Sequence, residues 1–183
     1  MKQQIEKREL FTGRDPDQQA DAHRLTTHDL AHALAELGYP GFSHLRTKRN
    51  FLTPEQVVIE TLSSGEVEVR ILEALPWLLV RFPDLEWDLL TATALAHGWQ
   101  NRLGYIASIA AELAERIGQP ARAAALRRSE AVIEPFRSER EETLCHESMT
   151  QTERNWLREH RPAAARRWRI LSDLAPEHIV HVD

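Results

Sequence analysis

Apolar residues recur at three- and four-residue steps along most of the chain, which is the spacing of amphipathic helices. The longest such stretch covers residues 67–117 and is interrupted at Pro76, Pro83 and Gly98. These interruptions divide the stretch into separate helices, and Pro76 predicts a kink or a break inside the first of them. Nowhere does an alternation of apolar and polar residues last long enough to require a sheet. The pattern therefore predicts an all-α protein of about seven or eight helices.

Local start and stop signals place the other helices. Residues 53–56 (TPEQ) and 150–153 (TQTE) each combine a capping threonine with glutamine or glutamate three positions later, which is the signature of a capping box. Weaker apolar spacing predicts a short helix over 28–37, a frayed helix over 136–148 and a last helix over 163–174.

The connection 118–120 (GQP) is short enough to force the helices over 103–117 and 121–133 into an antiparallel hairpin. The predicted fold is thus a compact multi-helix bundle with antiparallel helical hairpins, a mobile N-terminal arm and a short extended C-terminal tail. We predict a flexible arm over 1–24 and a single helical domain over 25–183. Within that domain lie N-terminal helices (25–65), core helices (66–135), and basic C-terminal helices with the tail (136–183).

Composition narrows the classes of function. A lone cysteine, Cys145, excludes an internal disulfide framework and a cysteine-based zinc cluster. No run approaches the ~20 apolar residues of a membrane span, and Met1–Glu9 is too polar to open a signal peptide, so we expect a cytoplasmic protein with no membrane partner. The glycines are scattered singly, which argues against a P-loop or a Rossmann site, and there is no Gly-x-Ser-x-Gly elbow. We therefore predict no cofactor.

The formal net charge of −5 is spread unevenly along the chain. Residues 53–88 hold eight acidic residues and two arginines, a net −6, whereas residues 151–172 hold six arginines and two glutamates, a net +4. Such asymmetry marks either an interaction surface or two parts of one fold that attract each other. We predict that the acidic stretch binds a protein partner through Glu66, Glu68 and Glu73.

A second candidate contact for a protein partner is a polar and aromatic corner between two predicted buried helices. Most of the large residues in 67–117 fall at apolar positions that predict the core. The residues of this corner do not, so core packing does not explain them. The corner consists of Trp99, Gln100, Asn101 and Arg102.

Two basic patches are candidates for nucleic-acid binding. Arg46, Lys48 and Arg49 lie between a predicted helix and turn and the next helix, a placement that resembles a helix-turn-helix segment. The other patch offers phosphate contacts and a stacking face, and consists of Arg166, Arg167, Trp168 and Arg169. The alternative for both patches is a solvated helix face whose arginines pair with the acidic middle of the chain.

Two residue pairs offer catalytic alternatives. His28 and His32 lie four apart on one predicted helical face, with Asp29 between them, so they resemble the HExxH zinc motif in which the acid serves as general base. Arg140 and His146 have the Arg-x5-His spacing of the all-helical HEPN ribonucleases. That resemblance implies an arginine that polarises a phosphate and a histidine that moves a proton to or from a 2′-hydroxyl.

The interpretation we favour is a non-enzymatic helical protein that binds another macromolecule. Its most concrete form is an antitoxin-like or regulatory partner, which binds a protein through the acidic surface and DNA through the basic segments; homo-oligomerisation stays open. The alternatives are a HEPN-like ribonuclease that uses Arg140 and His146, and a metal-dependent hydrolase that uses His28 and His32.

Overall fold

A computed structural model of the chain describes residues 25–45 and 52–179. The predicted arm over 1–24, the basic residues Arg46, Lys48 and Arg49, and the end of the predicted tail lie outside these residues. In the described part the protein is helical, which confirms the all-α class. The helices are α1 (Thr27–Glu36), α2 (Pro54–Ser63), α3 (Val69–Arg81), α4 (Trp87–His97), α5 (Gln100–Arg116), α6 (Pro120–Ile133), α7 (Gln151–His160) and α8 (Ala163–Arg167).

Both predicted capping boxes are confirmed. The backbone N–H of Gln56 donates to Thr53 Oγ1 at 3.3 Å, and Thr53 N–H donates back to Gln56 Oε1 at 2.9 Å. Thr150 and Glu153 repeat the arrangement at the start of α7, with distances of 3.3 and 2.7 Å. Each box satisfies backbone donors that a helix start otherwise leaves without partners.

Helix α5 lies at the centre of the molecule and is buried on nearly every side. It packs most extensively against α6 and α3, and also contacts α4 and α8. Gly118 is the middle one of the three residues between α5 and α6, and its φ of +74° is a left-handed conformation that favours glycine. The core therefore forms around one helix, with the others arranged on its faces.

Pro76 does not break α3, which runs without interruption from Val69 to Arg81. Of the two outcomes predicted at Pro76, a kink or a break, the break is therefore wrong. A proline inside a helix removes one hydrogen bond to the residue four positions earlier. In α3 the residues on both sides of Pro76 are buried, so their packing holds the helix together across the missing bond.

The predicted frayed helix over 136–148 is also wrong. After a short 3₁₀ turn at Glu134–Phe136 the chain extends into β1 (Glu142–Thr143), which pairs in parallel with β2 (Ile170–Leu171). The last predicted helix, over 163–174, ends as α8 at Arg167, and β2 occupies part of its range. Two-residue strands are too short to produce an alternating pattern, so the sequence contained no periodicity from which to predict them.

Along the described residues, no helix combines the length and the apolar character that crossing a membrane requires.

Candidate binding cleft

A cleft of about 730 Å³ opens between four segments that are far apart in the sequence. These are the residues leading into and starting α3 (66–73), the loop 144–149, the first half of α7 (152–157) and the segment 171–178. We call this feature the binding cleft. It gathers the predicted acidic residues Glu66, Glu68 and Glu73 with residues from the C-terminal third of the chain.

The buried lining of the cleft is apolar. Its floor is formed by Leu72, Leu144, Met149, Leu157, Leu171 and Leu174. Two large apolar side chains at its mouth are exposed to solvent, Val69 by 64% and Trp156 by 51%. A cluster of exposed apolar side chains next to an apolar floor is typical of a surface that another molecule covers.

The charged lining of the cleft is almost entirely negative. Five carboxylates, which we call the acidic rim, border it: Glu66, Glu68, Glu73, Glu153 and Asp173. His146 and His178 also line it, and no lysine or arginine of the described chain does so. An apolar floor inside an acidic rim favours a ligand that is both apolar and cationic.

Two of the rim carboxylates accept hydrogen bonds from nearby backbone N–H groups. Glu66 accepts the backbone N–H of Ser148, and this hydrogen bond lowers the pKa of the Glu66 carboxyl. Glu153 accepts both the hydroxyl and the N–H of Thr150, which lowers its pKa in the same way. Glu66 therefore joins two segments of the cleft and Glu153 caps the start of α7, while both contribute negative charge to the lining.

The other three rim carboxylates are available to a ligand. The side-chain carboxylates of Glu68, Glu73 and Asp173 make no hydrogen bond or ion pair with other groups in residues 25–45 and 52–179. Glu68 and Asp173 are exposed and Glu73 is half-buried. Each can therefore pair with a cation without breaking a contact that the fold uses.

The loop 144–149 is fixed to the start of α3 by a short antiparallel bridge. Val67 N–H donates to the Cys145 carbonyl at 3.0 Å, and Glu147 N–H donates to the Gly65 carbonyl at 2.9 Å. On the opposite wall the buried Tyr105 hydroxyl donates to the Leu174 carbonyl. Non-local hydrogen bonds thus position both C-terminal walls of the cleft.

The predicted corner at Trp99–Arg102 lies apart from the cleft, and its most polar members are buried. Asn101 donates to the Ser138 carbonyl at 3.0 Å and accepts the Ser138 N–H at 2.8 Å. Asn101 and Arg102, predicted as a partner contact, are therefore buried inside the fold and not accessible to a partner. Gln100 is half-buried, and Trp99 stacks on His97 with ring centroids 4.8 Å apart.

Arg102 joins three parts of the fold from inside this corner. Its Nη1 donates to the carbonyls of Leu62 at 2.8 Å and Ser64 at 3.2 Å, and its Nε lies 3.2 Å from a Glu142 carboxylate oxygen. Burial raises the pKa of Glu142, and the neighbouring Arg102 opposes that rise. The role that these contacts give to Arg102 is to anchor β1 and the end of α2 to the core.

The basic patch at Arg166–Arg169 cannot offer the predicted stacking face, because Trp168 is fully buried. Its indole N–H donates to Glu130 at 3.0 Å. Arg167 pairs with Glu130 and Glu134, and Arg169 pairs with Glu139. Arg166 is exposed and donates to a backbone carbonyl. Two of the three arginines are thus paired with glutamates of the same fold, although not with the acidic stretch 53–88.

The residues of the two catalytic alternatives are arranged differently. Arg140 borders a polar pocket beside Arg102 and Glu142, whereas His146 lines the binding cleft, and the chain between them is not helical. His28 and His32 do meet, with their Nε2 atoms 3.1 Å apart. No group of three or more metal-binding side chains forms among the described residues, so this pair lacks a third protein ligand there.

Sequence reasoning missed Asp173 and Trp156 as members of the cleft. Trp156 carried a signal, because the capping box at Thr150 fixes the start of α7 and leaves a tryptophan on a mostly polar helix. Asp173 carried none, since it reaches the cleft only through the pairing of β2 with β1.

Compared with models of known protein families, with curated proteins and with solved structures, the chain matches none of them. Any function proposed for the chain therefore rests on the geometry of the cleft.

Proposed function

We propose that this protein is a non-enzymatic binding protein that engages another protein through the binding cleft. The observation that supports this is the coincidence, at one place, of exposed Val69 and Trp156, an apolar floor and the acidic rim. Partly exposed tryptophan next to desolvated apolar positions is the composition of interface hot spots.

The charge of the cleft supports a protein partner over a nucleic acid. A surface lined by five carboxylates and no lysine or arginine of the described chain repels phosphates. The same surface attracts a basic protein surface and speeds the encounter with it. The cleft is thus suited to cover a cationic region of a partner.

The most concrete form of the proposal is an antitoxin-like or regulatory role, in which the acidic rim covers a basic functional surface of the partner. Contact with DNA through Arg46, Lys48 and Arg49 stays a prediction of the sequence. The arrangement of Arg140 and His146 on different pockets gives no support to the ribonuclease alternative.

The test is co-expression of the full chain with the products of its neighbouring genes, followed by size-exclusion chromatography with light scattering. We expect one stable complex of defined stoichiometry, in which the partner's activity is suppressed. A chain that elutes alone and cleaves RNA, with cleavage lost in Arg140→Ala or His146→Ala, would contradict the proposal and establish the ribonuclease.

A further inference from the structure

We infer that the occupant of the binding cleft is a cationic amphipathic segment of the partner, with lysine or arginine side chains that pair with Glu68, Glu73 and Asp173. This inference rests on the proposed function and specifies the chemistry of the partner. The inference is based on the acidic rim. Two of its carboxylates accept hydrogen bonds within the fold, and the other three have no such partner.

The three available carboxylates belong to two of the four segments that form the cleft, Glu68 and Glu73 to residues 66–73 and Asp173 to residues 171–178. Glu68 is the residue immediately before α3, Glu73 lies within the helix, and Asp173 follows β2. A segment lying over the floor can therefore meet carboxylates from two sides. Because one small cation cannot satisfy groups on separate segments while also covering the apolar floor, the arrangement favours a chain with several cationic side chains.

The apolar part of the occupant follows from the mouth of the cleft. Five large apolar side chains of the described residues are strongly exposed, and two of them, Val69 and Trp156, lie at the mouth of the cleft. Trp156 stacks on His160, with ring centroids 4.5 Å apart, which extends the aromatic surface along α7. A helix with one apolar face covers such a surface while presenting its basic residues at the edges.

Charge disfavours the other candidate occupants. A second copy that bound cleft to cleft would place two acidic rims against each other. The chain's own residues 1–24 contain five basic and five acidic residues, so they carry no net positive charge. A cationic segment of another protein is the occupant that the rim complements.

The probe for this inference is a fluorescent peptide of about 16 residues, long enough for more than four helical turns, with leucine on one face and lysine on the other. Two reference peptides replace every lysine by glutamate or every leucine by serine. Anisotropy titration of the full chain should show binding of the lysine–leucine peptide, none of the glutamate–leucine peptide, and at least about tenfold weaker binding of the lysine–serine peptide.

Matched variants locate the binding site. Glu68→Gln/Glu73→Gln/Asp173→Asn should weaken binding about tenfold, because three exposed ion pairs are lost, and should reduce its dependence on salt. The control removes the same charge from exposed acids that line no cleft, Glu86→Gln/Asp88→Asn/Glu159→Gln, and should bind like the wild type.

A second pair of variants tests the apolar contribution to peptide binding. Trp156→Ala should weaken binding about tenfold or more, whereas Phe136→Ala should leave it unchanged. The two aromatic side chains are similarly exposed, by 51% and 54%, but Phe136 lies away from the cleft.

Three results would overturn the inference. They are equal binding of the glutamate–leucine peptide, equal weakening by the rim and control charge variants, and a dimer in light scattering that Trp156→Ala dissociates. The last result would assign the cleft to a second copy. If a co-expressed partner binds the wild type and the rim variant equally well, the inference fails while the proposed function stands; if no partner is found, the proposed function fails.

Discussion

Gly104 shows how a single side chain, or its absence, decides the packing of the core. It lies in α5 directly beneath the indole ring of Trp168, and a Cβ atom built there would approach the ring to within 2.3 Å. Trp168 is also held by its hydrogen bond to Glu130. Because the ring is fully buried and hydrogen-bonded, a side chain at position 104 would clash with it.

Gly104→Ala separates packing from helix propensity. Alanine is the better helix former by about 1 kcal/mol, but overpacking against Trp168 should outweigh this and destabilise the protein by about 3 kcal/mol. The control is Gly98→Ala, where φ is +78° and no atom lies within 4 Å of the new methyl group. It should cost only about 1 kcal/mol of backbone strain. Thermal unfolding measures both, and a Gly104→Ala variant as stable as the wild type would contradict this packing.

Cys145 is buried, and its thiol donates to the Thr61 carbonyl at 3.3 Å. Burial raises the pKa of this thiol to about 11 from an ordinary value near 9. Above pH 9 the unfolded chain releases this proton while the folded chain keeps it, so the thiol lowers stability as the pH rises from about 9 to 11.

Two measurements check the behaviour of Cys145. Iodoacetamide at pH 8 should leave the native thiol unmodified and alkylate it in denaturant. Urea titrations from pH 8 to 11 should show a steeper loss of stability in the wild type than in Cys145→Ala. Rapid alkylation of the native protein would show that the thiol is accessible.

At the scale of elements, Arg102 connects α2, α5 and β1. Replacing it with methionine leaves the Glu142 carboxylate and the carbonyls of Leu62 and Ser64 without this partner. Removing one member of a buried ion pair costs about 3–5 kcal/mol. We therefore expect Arg102→Met to destabilise the protein by that amount.

Hydrogen exchange tells whether Arg102 acts as an anchor. Residues 138–147 should exchange faster in Arg102→Met, and Arg102→Met/Glu142→Leu should recover part of the lost stability, since the unpaired carboxylate is removed. Arg128→Met, on an exposed part of α6, is the control and should behave like the wild type. Unchanged exchange in residues 138–147 would contradict the anchoring role.

Elements with local signals could be predicted from the sequence, and elements that depend on distant partners could not. The capping threonines Thr53 and Thr150 hydrogen-bond three residues ahead, so their helix starts are visible in the sequence. Asn101 and Arg102 were predicted as a partner contact because the apolar core positions of 67–117 do not account for them. They are buried because carbonyls and a carboxylate about 40 positions away satisfy them.

The lining of the cleft likewise combines residues that the sequence could indicate with residues that it could not. Glu66, Glu68 and Glu73 were predicted as a partner contact because acidic residues are concentrated in that stretch of the sequence, and all three line the cleft. The other half of the lining depends on a two-residue parallel pairing that brings 171–178 beside 144–149. Trp168, predicted to stack on nucleic acid, became core because Gly104 leaves room for it.

At the scale of the whole molecule, charges that are separated along the sequence have different uses in the fold. The C-terminal arginines Arg167 and Arg169 pair with nearby glutamates, while Glu68, Glu73 and Asp173 stay available at the cleft. At the cleft, carboxylates without an ion-pair partner therefore lie beside exposed apolar side chains. The proposed function claims that a partner binds where these two features coincide.

The most direct test of that claim is hydrogen exchange of the full chain, alone and in complex with its co-expressed protein partner. Binding through the cleft predicts slower exchange in residues 66–73, 144–157 and 171–178, with little change elsewhere in the described chain. Protection confined to residues 97–102 or 163–169, with the three cleft segments unchanged, would contradict it.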